Sequence, residues 1–252
     1  MSDITVVLVH GAFAESSSWN GVLTLLQDAG IDAIATPNAL RSVTTDAENV
    51  RRLVDSLPGD VLLVGHSYGG AVITEAGAGN DKVKGLVYVA AFAPDHGENA
   101  LDLTGQFPGS TLGERVRPYP LGDGTNDLVV DRALFPEQFA ADVPLEVAKL
   151  SALTQRPIRD YALGEGLPAA TQTWKTRPSW FVYAPRLPPD VDRNRLIGEL
   201  EAAGIQAKPY LPSIHLQPYY REVHGYRPGL LPVTESISAS TIAARAGSAR
   251  SA

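Results

Sequence analysis

The chain has 252 residues, of which 44% are apolar, and its net charge at pH 7 is −7. This length suffices for one α/β domain with a buried core, and the negative charge argues against nucleic acid as a partner. The lack of cysteine excludes disulfides, thiolate catalysis and cysteine-ligated zinc.

The first predicted element is a buried parallel strand, Ile4–Val9, which is continuously apolar. It ends at the loop His10-Gly11-Ala12-Phe13. In acyl-transfer enzymes an early strand-to-helix loop supplies one of the two backbone N–H donors for the developing oxyanion. We expect Ala12 to be this donor, with Phe13 as the alternative, and we give His10 a structural role in the turn.

Two amphipathic helices are predicted next. In the first, from Trp19 to Ala29, apolar residues recur at helical spacing, and Gly30 ends it. The second begins at a predicted capping box, Thr45-Asp46-Ala47-Glu48, and ends at Pro58-Gly59. It leads the chain into the next strand, residues 61–64.

The pentapeptide Gly65-His66-Ser67-Tyr68-Gly69 follows that strand and precedes a small-residue helix, residues 70–76. In a G-x-S-x-G elbow the serine occupies a strained turn that exposes its hydroxyl, and the residue after it supplies the second oxyanion donor. A glycine-rich turn carrying an ordinary serine is the alternative. The strand and helix on either side favour Ser67 as a nucleophile and Tyr68 as a donor.

The chain up to residue 182 resembles the α/β-hydrolase superfamily, close to its small esterase and hydroxynitrile-lyase-like branch. The matching stretches are residues 7–13, Trp19, the elbow, residues 87–95 and residues 178–183. The resemblance implies a mostly parallel sheet flanked by helices, with a helical cap at about residues 95–175. We predict cap helices around 126–141 and 144–163, in which apolar residues such as Leu128, Phe135, Phe139 and Leu150 pack rather than select substrate.

Residues 183–252 depart from this family's pattern. The family places its catalytic acid directly after the strand at 179–183, but here Ala184-Pro185-Arg186-Leu187-Pro188-Pro189 follows. The segment from 183 carries a net charge of +2, from eight Lys/Arg and six Asp/Glu, whereas −9 remains for residues 1–182. It resembles the C-terminal segment of pyridoxal-phosphate sugar aminotransferases.

We therefore interpret the chain as a chimera, joined near residues 181–184. The second part is predicted to be a β-α-β segment with a helix over 192–203, followed by a disordered tail from about residue 225. Pyridoxal phosphate is not expected, because the large domain that would carry the cofactor lysine is absent.

The identity of the base and the acid that would serve Ser67 stays open. His215 lies just after the predicted last strand, where the resemblance places a triad histidine, but a loop histidine that serves no catalytic role is an interpretation favoured at least as much. His224 is a weaker candidate for the base. Asp192 is the candidate acid, although capping of the following helix is the favoured interpretation. Asp95, after the strand at 86–92, is the alternative acid, and a solvated turn is its favoured interpretation.

The sequence thus predicts a serine hydrolase for small carboxylic esters. It has two alternatives, a hydrolase fold with little or no activity and a cyanohydrin-cleaving lyase on the same residues. We expect a small-molecule substrate, no metal or cofactor, no nucleic acid or membrane partner, and a cytoplasmic location, since residues 1–3 lack a secretion-signal layout. The oligomeric state is left open.

Overall fold

A computed structural model describes residues 4–106, 110–141, 143–182, 187, 191–202, 206–209, 216, 221, 225, 227–230 and 232–245. The chain divides into two compact units, Met1–Ser179 and Trp180–Ala252. Within the described residues, no helix has the length and apolar character needed to cross a membrane.

The first unit is built on a parallel sheet with the strand order β2-β1-β3-β4. Apolar, β-branched runs form its central strands, and most of their side chains are buried. Its elements, in chain order, are β1 (Ile4–Val9), a 3-10 helix (Ser16–Trp19), α1 (Asn20–Asp28), β2 (Ala33–Thr36), α2 (Val43–Ser56), β3 (Asp60–Ser67), α3 (Gly69–Gly77) and β4 (Val83–Ala91).

The helices predicted before the cap are present, and two of them differ in where they start. The turn at Trp19 is 3-10, and α1 begins one residue later. The cap of α2 is Ser42, whose hydroxyl accepts the N–H of Thr45 at 3.0 Å, so the helix starts before the predicted capping box. The Ser42 hydroxyl satisfies one of the free N–H groups at the start of the helix, and Asp46 lies in its first turn.

The cap region follows β4. Its elements are α4 (Ala100–Gly105), α5 (Leu112–Arg115), β5 (Val116–Pro120), β6 (Asn126–Val130), α6 (Phe135–Gln138), α7 (Leu145–Thr154), β7 (Ile158–Arg159), α8 (Asp160–Gly164) and α9 (Thr173–Thr176). Strands β5, β6 and β7 form an antiparallel sheet of their own. The cap is therefore mixed rather than purely helical.

The predicted helix over residues 126–141 is wrong in its first part, which is strand β6. Gly122 and Gly124 have positive φ angles of 84° and 86°, and the N–H of Leu121 donates to the carbonyl of Thr125 at 3.0 Å. This turn folds β6 back against β5. The predicted helix at 144–163 is interrupted after α7, and residues 158–159 pair with β6.

The first unit ends next to β4, where the N–H of Leu86 donates to the carbonyl of Pro178 at 3.0 Å. Strand β8 (Ser179–Val182) begins at this point.

The second unit continues with α10 (Arg193–Ala202), β9 (Gln206–Pro209), α11 (Pro232–Ser240) and β10 (Ile242–Arg245). A strand, a helix and a strand follow one another here, and the predicted β-α-β segment stays a prediction. Strand β9 pairs antiparallel with β10, with Pro209 opposite Ile242. Where the sequence predicted a disordered tail from about residue 225, the structure has α11 and β10.

Candidate active site

Ser67 lies at the sharp turn between β3 and α3. Its φ angle is +53°, in the left-handed region that non-glycine residues rarely adopt. The pairing with β4 shifts between His66 and Ser67, and the carbonyl of Ser67 accepts the N–H of Phe92 at 3.1 Å. Strand, strained serine and helix thus follow one another as the pentapeptide predicts.

The two glycines of the elbow leave no room for a side chain. A Cβ on Gly65 would lie 2.6 Å from the carbonyl oxygen of Gly69, and a Cβ on Gly69 would lie 2.5 Å from the carbonyl oxygen of Val9. Both distances are below any ordinary contact, so the turn closes tightly only with glycine on each side.

The loop after β1 lies directly against the nucleophile. A Cβ added to Gly11 would be 2.6 Å from the Cβ of Ser67 and 3.1 Å from its Oγ. The next residues, Ala12 and Phe13, are buried, and Phe13 has a φ angle of +60°. The structure therefore brings together the three regions chosen as candidate oxyanion donors and nucleophile, namely Ala12–Phe13, Ser67 and Tyr68.

His10 fixes the shape of this loop. Its Nε2 accepts the backbone N–H of Asn38 at 3.0 Å, so its Nδ1, 2.9 Å from the carbonyl of Gly11, carries the proton. The side chain of Asn38 donates to the carbonyl of His10 at 3.0 Å. Burial lowers the pKa of His10. A neutral imidazole with both nitrogens engaged is a structural group, as its place in the turn suggests.

His66 is directed toward the sheet face that carries Trp19. The two rings meet edge to face, with centroids 6.4 Å apart. Burial lowers the pKa of His66, and the neighbouring His10 lowers it further. His96, by contrast, is an exposed residue of the turn after β4.

The two candidate acids are held by other groups. The carboxylate of Asp95 receives Lys175 Nζ at 2.6 and 2.7 Å and the N–H of His96 at 2.9 Å. The hydrogen bond from Lys175, followed by the one from His96, lowers the pKa of Asp95. In the second unit, Asp192 Oδ1 accepts the N–H groups of Asn194 and Arg195 at 2.9 and 3.0 Å, which caps α10. His215 and His224 lie outside the described residues.

A cavity of about 550 Å³ adjoins the loop after β1. Its walls are mainly apolar, from Phe13 in the loop and from Phe135, Phe139 and Leu150 in the cap. The ring of Phe13 meets that of Phe139 edge to face, with centroids 6.0 Å apart. Phe135 is buried as predicted for a packing residue, whereas Leu150 is 63% exposed on α7.

One pair of residues near the nucleophile was missed in the sequence. The phenol of Tyr68 donates to Asp46 Oδ2 at 3.0 Å, and both side chains are buried. The available signal was the spacing of α2, since Asp46 falls on the same buried stripe as Val43, Ala47 and Val50. A carboxylate on an apolar stripe indicates a buried acid with a specific partner.

A protein-family model described as "Alpha/beta hydrolase family" matches residues 6–229. The chain belongs to the alpha/beta hydrolase family. The match runs past residue 182, so it includes much of the segment in which the sequence suggested a second origin. That second origin stays a prediction.

Among curated proteins, methylesterase 8 of Arabidopsis thaliana is 31% identical over 171 residues, which are 60% of this chain and 60% of that protein. A carbendazim-hydrolyzing esterase of Nocardioides sp. (strain SG-4G) is 34% identical over 112 residues, 38% of this chain and 46% of that one. The chain thus spans about 60% or less of the length of these relatives.

Among solved structures, a variant of tomato methylketone synthase I complexed with beta-ketoheptanoate matches with a TM-score of 0.61 and 17% identity. The match covers 80% of this chain and 86% of that one. At this identity the likeness shows the fold, and it is the α/β-hydrolase fold that the sequence predicted.

Proposed function

We propose that this protein is a serine hydrolase that cleaves small carboxylic esters with Ser67 as its nucleophile. One observation carries the proposal. Ser67 is strained at the β3–α3 turn, and its Oγ faces the backbone of Gly11 in the loop that family enzymes use for oxyanion binding. The esterase relatives support ester hydrolysis as the reaction class.

In this reaction Ser67 Oγ bonds to the carbonyl carbon of the ester while a base takes the hydroxyl proton. The carbonyl oxygen becomes an oxyanion, which the N–H of Tyr68 and that of Ala12 or Phe13 stabilise. The alkoxide then leaves with a proton, and water releases the acid from the acyl-serine in the same way. His215 is the candidate base and Asp192 or Asp95 the candidate acid, and we expect each of them to assist Ser67 only weakly, because other groups hold both acids.

The cavity beside Phe13 is compatible with a small substrate. It adjoins the loop after β1 and does not include Ser67 in its lining, so it can receive a part of the ester rather than the reacting carbonyl. Its mainly apolar wall suits an apolar substituent of modest size.

A second candidate is a hydrolase fold with little turnover. It is favoured because other groups already hold most of the histidines and acids near the elbow that the structure describes. His10 is committed to backbone groups, His66 packs against Trp19, and the carboxylate of Asp95 is bound by Lys175. A foreign origin of residues 183–252 would explain the missing aspartate after residue 183. Under this candidate the elbow remains and the rate is low.

Hydrolysis of p-nitrophenyl acetate by the purified protein tests the proposal, because its leaving group needs little protonation and thus little help from an acid. We expect Ser67→Ala to lower the rate at least about 100-fold. Ser56→Ala, an exposed serine that bonds its own helix at Leu53, is the matched control and should keep full activity. Equal rates for the parent and Ser67→Ala would refute the assignment, and release of cyanide from mandelonitrile would indicate lyase chemistry instead.

A further inference from the structure

The residue that follows the nucleophile is anchored through its side chain. Tyr68 contributes a backbone N–H to the proposed oxyanion site, and its side chain is 0% exposed. Its phenol donates to Asp46 Oδ2 at 3.0 Å. Burial and the neighbouring carboxylate raise the pKa of the Tyr68 phenol, so it stays a donor.

Asp46 carries a buried carboxylate that joins the start of its own helix to the elbow. It is 1% exposed on α2, three residues past the start of the helix. Its two oxygens accept the backbone N–H of Arg41, just before the helix cap, each at 3.2 Å. The charged groups that act on it are the guanidinium of Arg41, which is favourable, and the carboxylate of Glu165, which is not. A buried acid without an ion-pairing partner in contact is costly, so its hydrogen bonds to Arg41 and to the phenol of Tyr68 are needed to offset its burial.

The same contacts continue into the cap. Arg41 donates from Nη1 to Asp127 Oδ1 and from Nη2 to the carbonyl of Pro157, both at 2.7 Å. The preceding residue, Leu40, accepts the N–H of Arg159 at 3.0 Å. A hydrogen-bonded chain therefore runs from the elbow through α2 to strands β6 and β7 of the cap, all within the first unit.

We propose that Asp46 is a positioning residue for ester hydrolysis: it holds the Tyr68 phenol so that the Tyr68 backbone N–H is aimed at the oxyanion. This inference rests on the proposed function. The N–H of Tyr68 can stabilise the oxyanion only if its direction is fixed before the reaction, and small displacements of such donors are costly in rate. The hydrogen bond from the phenol to Asp46 restrains the Tyr68 side chain at its outer end, and this restraint helps to fix the direction of the Tyr68 backbone N–H.

Three variants test the hydrogen bond between Tyr68 and Asp46. Tyr68→Phe and Asp46→Ala each remove the bond between phenol and carboxylate, and we expect kcat for p-nitrophenyl acetate to fall about tenfold with KM changed less than about twofold. Asp46→Asn should stay within about threefold of the parent, because its amide can accept the N–H of Arg41 and donate to the oxygen of Tyr68.

The matched control is Tyr88→Phe. Tyr88 is also buried, opposite Gly65 in the sheet, and its phenol bonds to Thr74 Oγ1 at 2.6 Å, so this change removes a buried tyrosine hydrogen bond near the elbow without altering the contact between Tyr68 and Asp46. It should lower the melting temperature as Tyr68→Phe does and leave kcat unchanged. This comparison distinguishes an effect on the direction of the Tyr68 N–H from a general loss of stability. If Asp46→Ala does not fold, Tyr68→Phe alone tests the proposal.

The outcomes are distinct. Ser67-dependent turnover that Tyr68→Phe leaves unchanged overturns this inference and leaves the proposed function standing. An equal loss in Tyr68→Phe and Tyr88→Phe also overturns it, as a loss of stability alone. Turnover that does not depend on Ser67 overturns the proposed function and the inference with it.

Discussion

Replacing Asp46 by asparagine should change how the stability of the protein depends on pH. Burial raises the pKa of Asp46 from 3.8 to about 6, against the opposing effects of the N–H of Arg41, the phenol of Tyr68 and the charge of Arg41, and Glu165 raises it further. The folded protein therefore binds this proton more tightly than the unfolded chain does. The stability that results is complete below pH 3.8 and is lost as the pH rises through about 6.

The magnitude follows from the two pKa values. Between about pH 7.5 and about pH 4.5 the linkage contributes about 2 kcal/mol to the free energy of unfolding of the parent, and Asp46→Asn, which cannot titrate, lacks it. The difference in unfolding free energy, parent minus variant, should grow by that amount as the pH falls. Contributions from all other titrating groups cancel in this difference, provided that they are unaffected by the change.

Urea unfolding followed by circular dichroism at both pH values measures this difference. Asp28→Asn, at an exposed position of α1, is the control, and its difference from the parent should change by less than about 0.5 kcal/mol. A difference for Asp46→Asn that is the same at both pH values, or that grows as the pH rises, would refute the reasoning about the buried carboxyl.

Three further changes probe the site. Gly11→Ala places a Cβ 2.6 Å from that of Ser67, so ester turnover should fall more than about tenfold. Gly105→Ala on α4, whose Cβ meets no atom within 4 Å, should keep full turnover, and similar rates for the two variants would contradict the geometry. Asp95→Asn should change turnover less than about threefold, since a larger loss would mark Asp95 as the acid. His215→Ala should change it less than about tenfold, or roughly 1.4 kcal/mol, and a larger loss with intact circular dichroism would establish His215 as the base.

The elbow could be predicted from the sequence because its determinants are local. An apolar run, two glycines around a serine and a small-residue helix stand next to each other, and each is needed for the strained turn at Ser67. The loop after β1 could also be predicted, because it follows a continuous apolar strand. Its position beside Ser67 follows because parallel neighbouring strands bring their carboxyl ends to one edge of the sheet. The register of β1 with β3, which places Val9 opposite Gly65, does this.

The cap was predicted less well because its structure depends on pairing between distant segments. The β-rich run Leu128-Val129-Val130 and the two glycines before it are typical of a hairpin, whereas the helix predicted over 126–141 came with the helical cap that the family resemblance implies. Strand β7 has only two residues, Ile158 and Arg159, and takes its form from pairing with β6 about thirty residues earlier. No local pattern predicts such a strand.

The bond between Asp46 and Tyr68 was missed for a related reason. The stripe of α2 shows that residue 46 is buried, but the partner of a buried acid is set by the packing of α2 against α3. The capping box prediction also placed Asp46 in the first turn of a later helix, where an acid is favourable near the free N–H groups. With Ser42 as the cap, Asp46 still lies in the first turn, and its buried carboxylate is held by the N–H of Arg41 and the phenol of Tyr68.

The central claim, that Ser67 is the nucleophile, is tested most directly by trapping the acyl-enzyme. The protein is mixed with p-nitrophenyl acetate and quenched in acid, and its peptides are analysed by mass spectrometry. We predict one acetyl group on the peptide that contains Ser67 in the parent protein and none there in Ser67→Ala. Acetylation that is confined to lysines, or that is the same in both proteins, would contradict the claim.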